Sequence, residues 1–306
     1  MKIQKTYGIY LFSIALFWAF WLQITANPAK PSQNRWEENW FLSPNETVTL
    51  PEFKLIDTRS VMARIKTKIP DAKLLSWEEL SRSETPFRGK LQSEDKIQKI
   101  LSNLGISRKD IVIVLGDGKN GWGEEGRIVW SLREVGYPHA YWYDGSVSSL
   151  LETIEKRKQN KKIVNPIINS TNTIKTGVLK KTDISKEEIN KQIKLNAYQI
   201  LDTREPREFA GATPYGESRG GHIPSAKLFY YQNLFDDNGR IKSKEEVDQI
   251  LNQIGISSTK PIVAYCTGGV RSAFVVGILR SYGYNAYNYS GSMWEWSSYA
   301  NLPLEK

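Results

Sequence analysis

Four short blocks in the first half of the chain recur in the same order in the second half, and this limits the available folds more than any other feature. Leu55-Ile56-Asp57-Thr58-Arg59 returns as Ile200-Leu201-Asp202-Thr203-Arg204, and residues 100–107 return as residues 250–257. Each of the latter is followed by a short apolar run, Ile111–Leu115 and Ile262–Tyr265. Arg133-Glu134-Val135-Gly136-Tyr137 then echoes Arg280-Ser281-Tyr282-Gly283-Tyr284, and Asp144-Gly145-Ser146 echoes Ser290-Gly291-Ser292. A duplicated domain accounts for all four blocks. The 306 residues suffice for two ordinary domains.

The apolar runs lack polar alternation, as strands buried on both faces of a parallel sheet do. Three capping boxes mark helix starts: Ser76 with Glu79, Ser185 with Glu188, and Ser243 with Glu246. After the last, Val247, Ile250, Leu251 and Ile254 share one helical face. Strand-helix alternation predicts α/β domains with helices flanking a parallel sheet. The expected domains are 45–155 and 177–306. Between them, Lys156-Arg157-Lys158 and Lys161-Lys162, read as a solvated helix end, give way to the Asn- and Thr-rich segment 165–176.

At the N-terminus, Lys2 and Lys5 precede an uncharged, strongly apolar stretch from Tyr7 to Ala26. A basic start before an apolar run is expected to act as a signal peptide or membrane anchor over residues 1–26. The expected location is therefore the periplasm or the outer face of the inner membrane, with no other membrane contact. The formal charge of +9 suits an anionic substrate. Its lysines and arginines are dispersed and no nucleic-acid motif is present, so nucleic acid is not an expected partner.

Cys266 is the sole cysteine, so no intramolecular disulfide can form. Multi-cysteine zinc sites are excluded, and His139 and His222, the only histidines, are too few for a usual histidine metal site. Neither metal nor organic cofactor is expected. A free thiol in an exported protein is exposed to oxidation, and its presence calls for a reason. Cys266 ends an apolar strand, where open parallel sheets place their ligands. Thr267, Gly268, Gly269 and Val270 then form a short loop before a helix that includes Arg271 and Ser272. Two glycines let a backbone curl with its N–H groups inward. Those donors, the helix N-terminus and Arg271 would stabilise a thiolate. The alternative is that Cys266 is a small buried core residue, but a core position needs neither the glycines nor the arginine.

Cys-x-x-Gly-x-Arg after an apolar strand, Cys266 to Arg271, resembles the active-site loop of the rhodanese family. Leu201-Asp202-Thr203-Arg204 resembles that family's opening strand, and Gly221-His222-Ile223-Pro224-Ser225-Ala226 its Gly-His-Ile-Pro-Gly-Ala signature, with Glu208, Phe209 and Gly211 fitting between. Ser225 replaces the usual Gly, a change expected to cost little. The resemblance spans both halves and implies two rhodanese-like domains preceded by an N-terminal hydrophobic segment. It implies that Cys266 accepts a sulfane sulfur as a persulfide and passes it to a thiophilic acceptor, cyanide or a thiol. Backbone N–H groups of residues 267–271 would hold the transferred sulfur. Arg271 and Arg204 would neutralise a small anionic donor, Arg204 having as its alternative a role bracing Asp202 or Glu205. Asp202 and His222 are read as structural. Four residues between Cys and Arg, rather than the five of related phosphatases, suit a single sulfur atom.

The first half has Gly116 where the second has Cys266. The separation of matching residues falls from 150 at Gly105 and Gly255 to 147 at Gly136 and Gly283, so the first loop is longer by three residues. Asp117, Glu124 and Glu125 lie in or beside it and are expected to repel an anionic donor. The first half is thus expected to be silent and to shape one wall of the site. Thiosulfate is the expected donor, with 3-mercaptopyruvate as the alternative. A persulfide carrier serving a protein acceptor, with Trp294, Trp296 and Tyr299 as contacts or core residues, is a further reading.

Overall fold

The computed structural model describes residues 39–159 and 180–306. Residues 1–26, expected to be a signal peptide or anchor, and the stretch 165–176, expected to link the domains, lie outside the described residues. Among the described residues no helix is long and apolar enough to cross a membrane. The first half runs β1 (Phe41–Leu42), α1 (Pro44–Thr49), β2 (Phe53–Asp57), α2 (Val61–Lys66), β3 (Lys73–Leu74), α3 (Glu94–Asn103), β4 (Ile111–Leu115), α4 (Glu124–Glu134), β5 (Ala140–Tyr143) and α5 (Val147–Gln159). The second runs α6 (Lys186–Leu195), β6 (Gln199–Asp202), α7 (Pro206–Phe209), β7 (Lys227–Leu228), α8 (Lys244–Gln253), β8 (Ile262–Tyr265), α9 (Val270–Ser281), β9 (Ala286–Asn288) and α10 (Ser292–Trp296).

Both sheets are wholly parallel, and their orders coincide: β3-β2-β4-β5-β1 in the first half and β7-β6-β8-β9 in the second. The pairing of Asp57 with Leu115 across β2 and β4 is repeated by Asp202 with Tyr265 across β6 and β8. β1 adds Phe41 and Leu42 to the first sheet, ahead of the boundary expected at residue 45. Its counterpart in the second half is a single parallel bridge from Asp183 to Asn288. β4 and β8 are buried along their whole lengths, as central parallel strands covered on both faces must be.

The structure brings out a fifth matching block. Ile69-Pro70-Asp71-Ala72-Lys73-Leu74 occupies the place of Ile223-Pro224-Ser225-Ala226-Lys227-Leu228, each leading into the edge strand of its sheet. Asp71 and Ser225 both take left-handed conformations, φ 59° and 64°. The serine in place of glycine at 225 therefore carries some backbone strain.

The three capping boxes differ in outcome. Ser243 and Glu246 cap α8 reciprocally. Ser76 and Glu79 cap only a single 3-10 turn, Trp77–Leu80. Ser185 accepts from the Glu188 N–H, but the Glu188 carboxylate bonds Gln192 instead of returning to the cap. In the basic run, Arg157 donates to the carbonyls of Val48, Leu50 and Pro51 and so caps the end of α1, where a solvated side chain had been expected.

The halves meet through α4 and α9. A Cβ built on Gly126 would lie 2.7 Å from Phe274 Cα, so only glycine allows the two helices this close. One continuous apolar core results, running from Ile56, Val112 and Trp142 of the first half to Leu201, Ala264 and Phe274 of the second. Ion pairing of Arg240 with Asp144 at 2.9 Å adds a polar tie across the same junction.

Ser225→Gly is expected to stabilise the protein by about 0.5–1 kcal/mol. Relief of the left-handed conformation, roughly 1–2 kcal/mol, exceeds the added chain entropy of a glycine, about 0.5–1 kcal/mol. Urea unfolding midpoints of the two proteins, compared at unchanged m, measure it.

Candidate active site

Cys266 follows β8 directly and is 1% exposed. Its backbone N–H donates to Ser292 Oγ at 3.0 Å, fixing the residue against the start of α10. The loop beyond it curls as two glycines permit. Gly269 caps α9 at φ 77° and turns its N–H to the sulfur, 3.1 Å from Sγ. At Gly268 a Cβ would come 2.2 Å from the Trp294 ring, which packs over the loop. Ser272 Oγ lies 3.6 Å from Sγ but only 2.6 Å from Asn288 Oδ1, so its single proton serves the amide oxygen first.

Burial raises the Cys266 pKa, but the Arg271 charge and hydrogen bonds from Ser272 and Gly268 outweigh it. The thiol is held below its ordinary value. This is the electrostatic setting of a nucleophile rather than of a small core residue.

The loop is braced from beneath by an ion pair. Arg271, 2% exposed, donates to Glu208 Oε2 at 2.6 Å and Oε1 at 2.9 Å, and to Thr267 Oγ1 at 2.7 Å. Thr267 Oγ1 in turn donates to Glu208 Oε1 at 2.6 Å. Despite burial, which favours the neutral acid, the Arg271 bonds and charge hold the Glu208 pKa below its ordinary value. Arg271 was expected to meet the donor's anionic group. Its terminal nitrogens are committed to Glu208 and Thr267, so its part is to hold the loop and bias the thiol. The carboxylate that commits them was noted in the sequence only as fitting a pattern.

Arg204 does not reach the loop's polar groups. It is fully buried, donates through Nε and Nη2 to Asp202 at 2.9 and 2.7 Å, and bonds Gly221 O at 2.8 Å. Arg59 makes the same pair with Asp57, at 2.8 and 2.7 Å, in the half that has no cysteine. A contact present in both halves belongs to the fold, and substrate binding by Arg204 gives way to the bracing role. Tyr265 extends this brace by donating to Asp202 Oδ2 at 2.6 Å and accepting from the Ile223 N–H at 3.1 Å. His222 holds the following turn, its ring stacked 3.7 Å from that of Phe209 and its Nδ1 3.1 Å from Phe209 O. Trp296 lies in the core with Tyr289 and Met293, while Trp294 is half-buried at the loop with Arg88 of the first half stacked on it at 3.7 Å.

The first half's loop is blocked by its own side chain. A Cβ on Gly116, the position matching Cys266, would fall 2.0 Å from Glu125 Oε2. Burial, reinforced by the Glu124 charge, pushes the Glu125 carboxyl up to about 8. Near neutral pH it is mostly a neutral acid. The repulsion expected from it is thereby replaced by simple filling of the space a sulfur would need.

A family model described as rhodanese-like domain matches residues 39–153 and again 185–299. Thiosulfate sulfurtransferase of Pseudomonas aeruginosa is 22% identical over 256 residues, covering 83% of this chain and 92% of the relative. Thiosulfate/3-mercaptopyruvate sulfurtransferase 1 of Arabidopsis thaliana, a mitochondrial protein, is 26% identical, covering 93% of this chain and 76% of its own. The sulfur carrier protein TtuD of Thermus thermophilus is 27% identical over 78% of this chain and 85% of its own. Among solved structures, the 3-mercaptopyruvate sulfurtransferase SseA of Escherichia coli matches with a TM-score of 0.64 at 22% identity, covering 83% of this chain and 98% of that one. That likeness shows the fold.

Glu125 yields a pH test. Its folded pKa of about 8 stands above its ordinary 4.5, so the folded state holds the proton more tightly than the unfolded chain. Stability from this group is full below the ordinary value and is lost as pH rises toward the folded one. Glu125→Gln is expected to raise Tm by several degrees at pH 8 and to leave it nearly unchanged at pH 5. Equal shifts at both pH values in a thermal melt would contradict the assignment.

Proposed function

The chain belongs to the rhodanese family as a tandem-domain sulfurtransferase, and on that premise we propose that Cys266 carries sulfane sulfur from thiosulfate to a thiophilic acceptor. The observation that carries the assignment is the Gly269 N–H directed at Cys266 Sγ from 3.1 Å, in a loop that also lowers the thiol's pKa.

In the first step the Cys266 thiolate attacks the outer sulfur of thiosulfate. An S–S bond forms, the bond to the sulfonate group breaks, and sulfite departs with that electron pair. The enzyme is left as the Cys266 persulfide. An acceptor nucleophile, cyanide or a thiolate, then attacks the terminal sulfur and returns the thiolate to Cys266. In both steps negative charge sits on a sulfur inside the loop, where oriented N–H groups and the Arg271 charge act without reorganising. The inward amides of residues 267–271 are the proposed sulfur cradle, with Thr267 fixed to Glu208, Gly268 roofed by Trp294 and Val270 opening α9. A thiol only 1% exposed favours a small donor over a bulky one.

The apolar segment 1–26 supports export, and with it a reaction in the periplasm or on the outer face of the inner membrane. Fractionation of cells expressing the full chain tests that placement, and recovery with the cytosolic proteins would overturn it.

Purified protein incubated with thiosulfate and cyanide is expected to form thiocyanate and, without cyanide, to gain the mass of one sulfur atom. Cys266→Ser is expected to do neither. A persulfide formed from 3-mercaptopyruvate and not from thiosulfate would change the donor. A persulfide from thiosulfate with no turnover, yet discharged by a protein thiol, would make the chain a carrier. No sulfur gain from either donor would remove the catalytic role of Cys266.

A further inference from the structure

From the half without a cysteine, the charged side chain of Arg127 reaches the backbone of the Cys266 loop. Arg127, on α4, is fully buried. Its Nη1 donates to Gly269 O at 3.0 Å, and its Nη2 to Ser81 Oγ at 3.0 Å and Gly89 O at 2.5 Å. The same Gly269 presents its N–H to the sulfur. Gly89 itself presses on the loop, since a Cβ there would come 2.8 Å from Gly268 O. Arg127 thus ties α4, the segment 81–89 and the cysteine loop together.

Among the described residues Arg127 makes no ion pair, and the negative groups that act on it are Asp183, Cys266 and Glu134. The Asp183 carboxylate is taken up by Ser290, at 2.9 and 3.2 Å, and that of Glu134 by Thr182, at 2.6 Å to both its N–H and its hydroxyl. Arg271, by contrast, is matched by Glu208.

The reciprocal position makes the comparison sharper. With the separation of 147 that relates Gly136 to Gly283, Arg127 corresponds to Phe274 of α9. Phe274 meets the blocked loop of the first half at Gly123, the left-handed cap of α4, just as Arg127 meets Gly269, the left-handed cap of α9. The side facing a thiol has a guanidinium and the side facing none has a phenyl ring.

We propose that Arg127 is a positioning residue for the sulfur chemistry of the other half, clamping Gly269 so that its N–H stays on Cys266 and adding a positive charge that favours thiolate and persulfide. The sulfur-transfer part of this rests on Cys266 being the sulfur carrier; the effect on the thiolate does not. The charged groups around the sulfur are Arg271 on α9, Glu208 on α7, Glu217 at 3.3 Å from Thr267 Oγ1, and Arg127 on α4, with Asp183 and Glu134 behind it. Burial lowers the Arg127 pKa to about 10, which leaves it charged at neutral pH.

The test is the pH dependence of Cys266 alkylation by iodoacetamide, read by intact mass, in the full chain and in Arg127→Met and Arg127→Lys. Arg127→Met is expected to move the midpoint up by about one unit or more, the scale on which one nearby opposite charge acts. Arg127→Lys keeps the charge but loses the two-armed clamp. It is expected to hold the midpoint near that of the unaltered protein while losing about tenfold or more in thiosulfate:cyanide kcat. A folded Arg127→Met with an unaltered midpoint, or Arg127→Lys with unaltered kcat, overturns the proposal. If Arg127→Met does not fold, the Lys variant decides alone. If the unaltered protein alkylates normally but takes up no sulfur, the sulfur-carrier reading fails while the midpoints still judge Arg127's effect on the thiolate.

Discussion

The approach of α4 to α9 at Gly126 is the constraint on which the rest of the molecule depends. Phe274 occupies the space a side chain at 126 would need, and the neighbouring Arg127 is carried with the helix to the Cys266 loop. A larger residue at 126 would push the helices apart. That would open the shared core and withdraw the guanidinium from Gly269 in one movement. Interiors are packed too densely to absorb such a change locally.

Around the sulfur, two arginines divide the work. Arg271 is bound at both terminal nitrogens by Glu208 and Thr267, an arrangement that fixes the loop. Removing either partner of a buried pair leaves an uncompensated charge, which commonly costs about 3–5 kcal/mol. The pair is therefore stiff, and its guanidinium charge leads the influences that lower the thiol's pKa. N–H groups oriented by the loop add to it and do not reorganise as charge moves from Cys266 to the transferred sulfur. A rigid brace and preorganised donors are complementary, since donors aimed by a loose loop would swing away from the sulfur.

The duplication, the parallel sheets and the cysteine loop were all legible in the sequence, because each lies in a contiguous stretch with its own pattern. What was not legible depends on residues far apart in the chain. Glu208 meets Arg271 across 63 positions, and Arg127 meets Gly269 across 142. No spacing rule connects such pairs before the helices are packed. The match of Ile69-Pro70-Asp71-Ala72 to Ile223-Pro224-Ser225-Ala226 escaped notice because the first copy lacks the flanking glycine and histidine. The shared left-handed residue, Asp71 or Ser225, identifies it in three dimensions. Arg204 is the reverse case. The resemblance left it between a substrate contact and a brace on Asp202 or Glu205, and the Arg59 pair shows the bracing contact again in the half that lacks a cysteine.

The two copies have diverged along one axis. At the strand end, Gly116 and Glu125 of the first copy fill with a neutral carboxyl the volume that Cys266 opens in the second. On the facing helices, Phe274 meets the filled loop and Arg127 the open one. These differences are linked by electrostatics. A buried guanidinium without a carboxylate pair is costly unless hydrogen-bonded and near a negative charge. Beside a thiolate it has that charge, whereas beside a mostly neutral acid it would not, and an aromatic ring packs there at less cost. A copy without the cysteine therefore has less reason for an arginine on the opposite helix, and Cys266 in the other supplies that reason. The half without a cysteine keeps the fold for its sheet and core, and its α4 carries Arg127 to the other half's Cys266 loop.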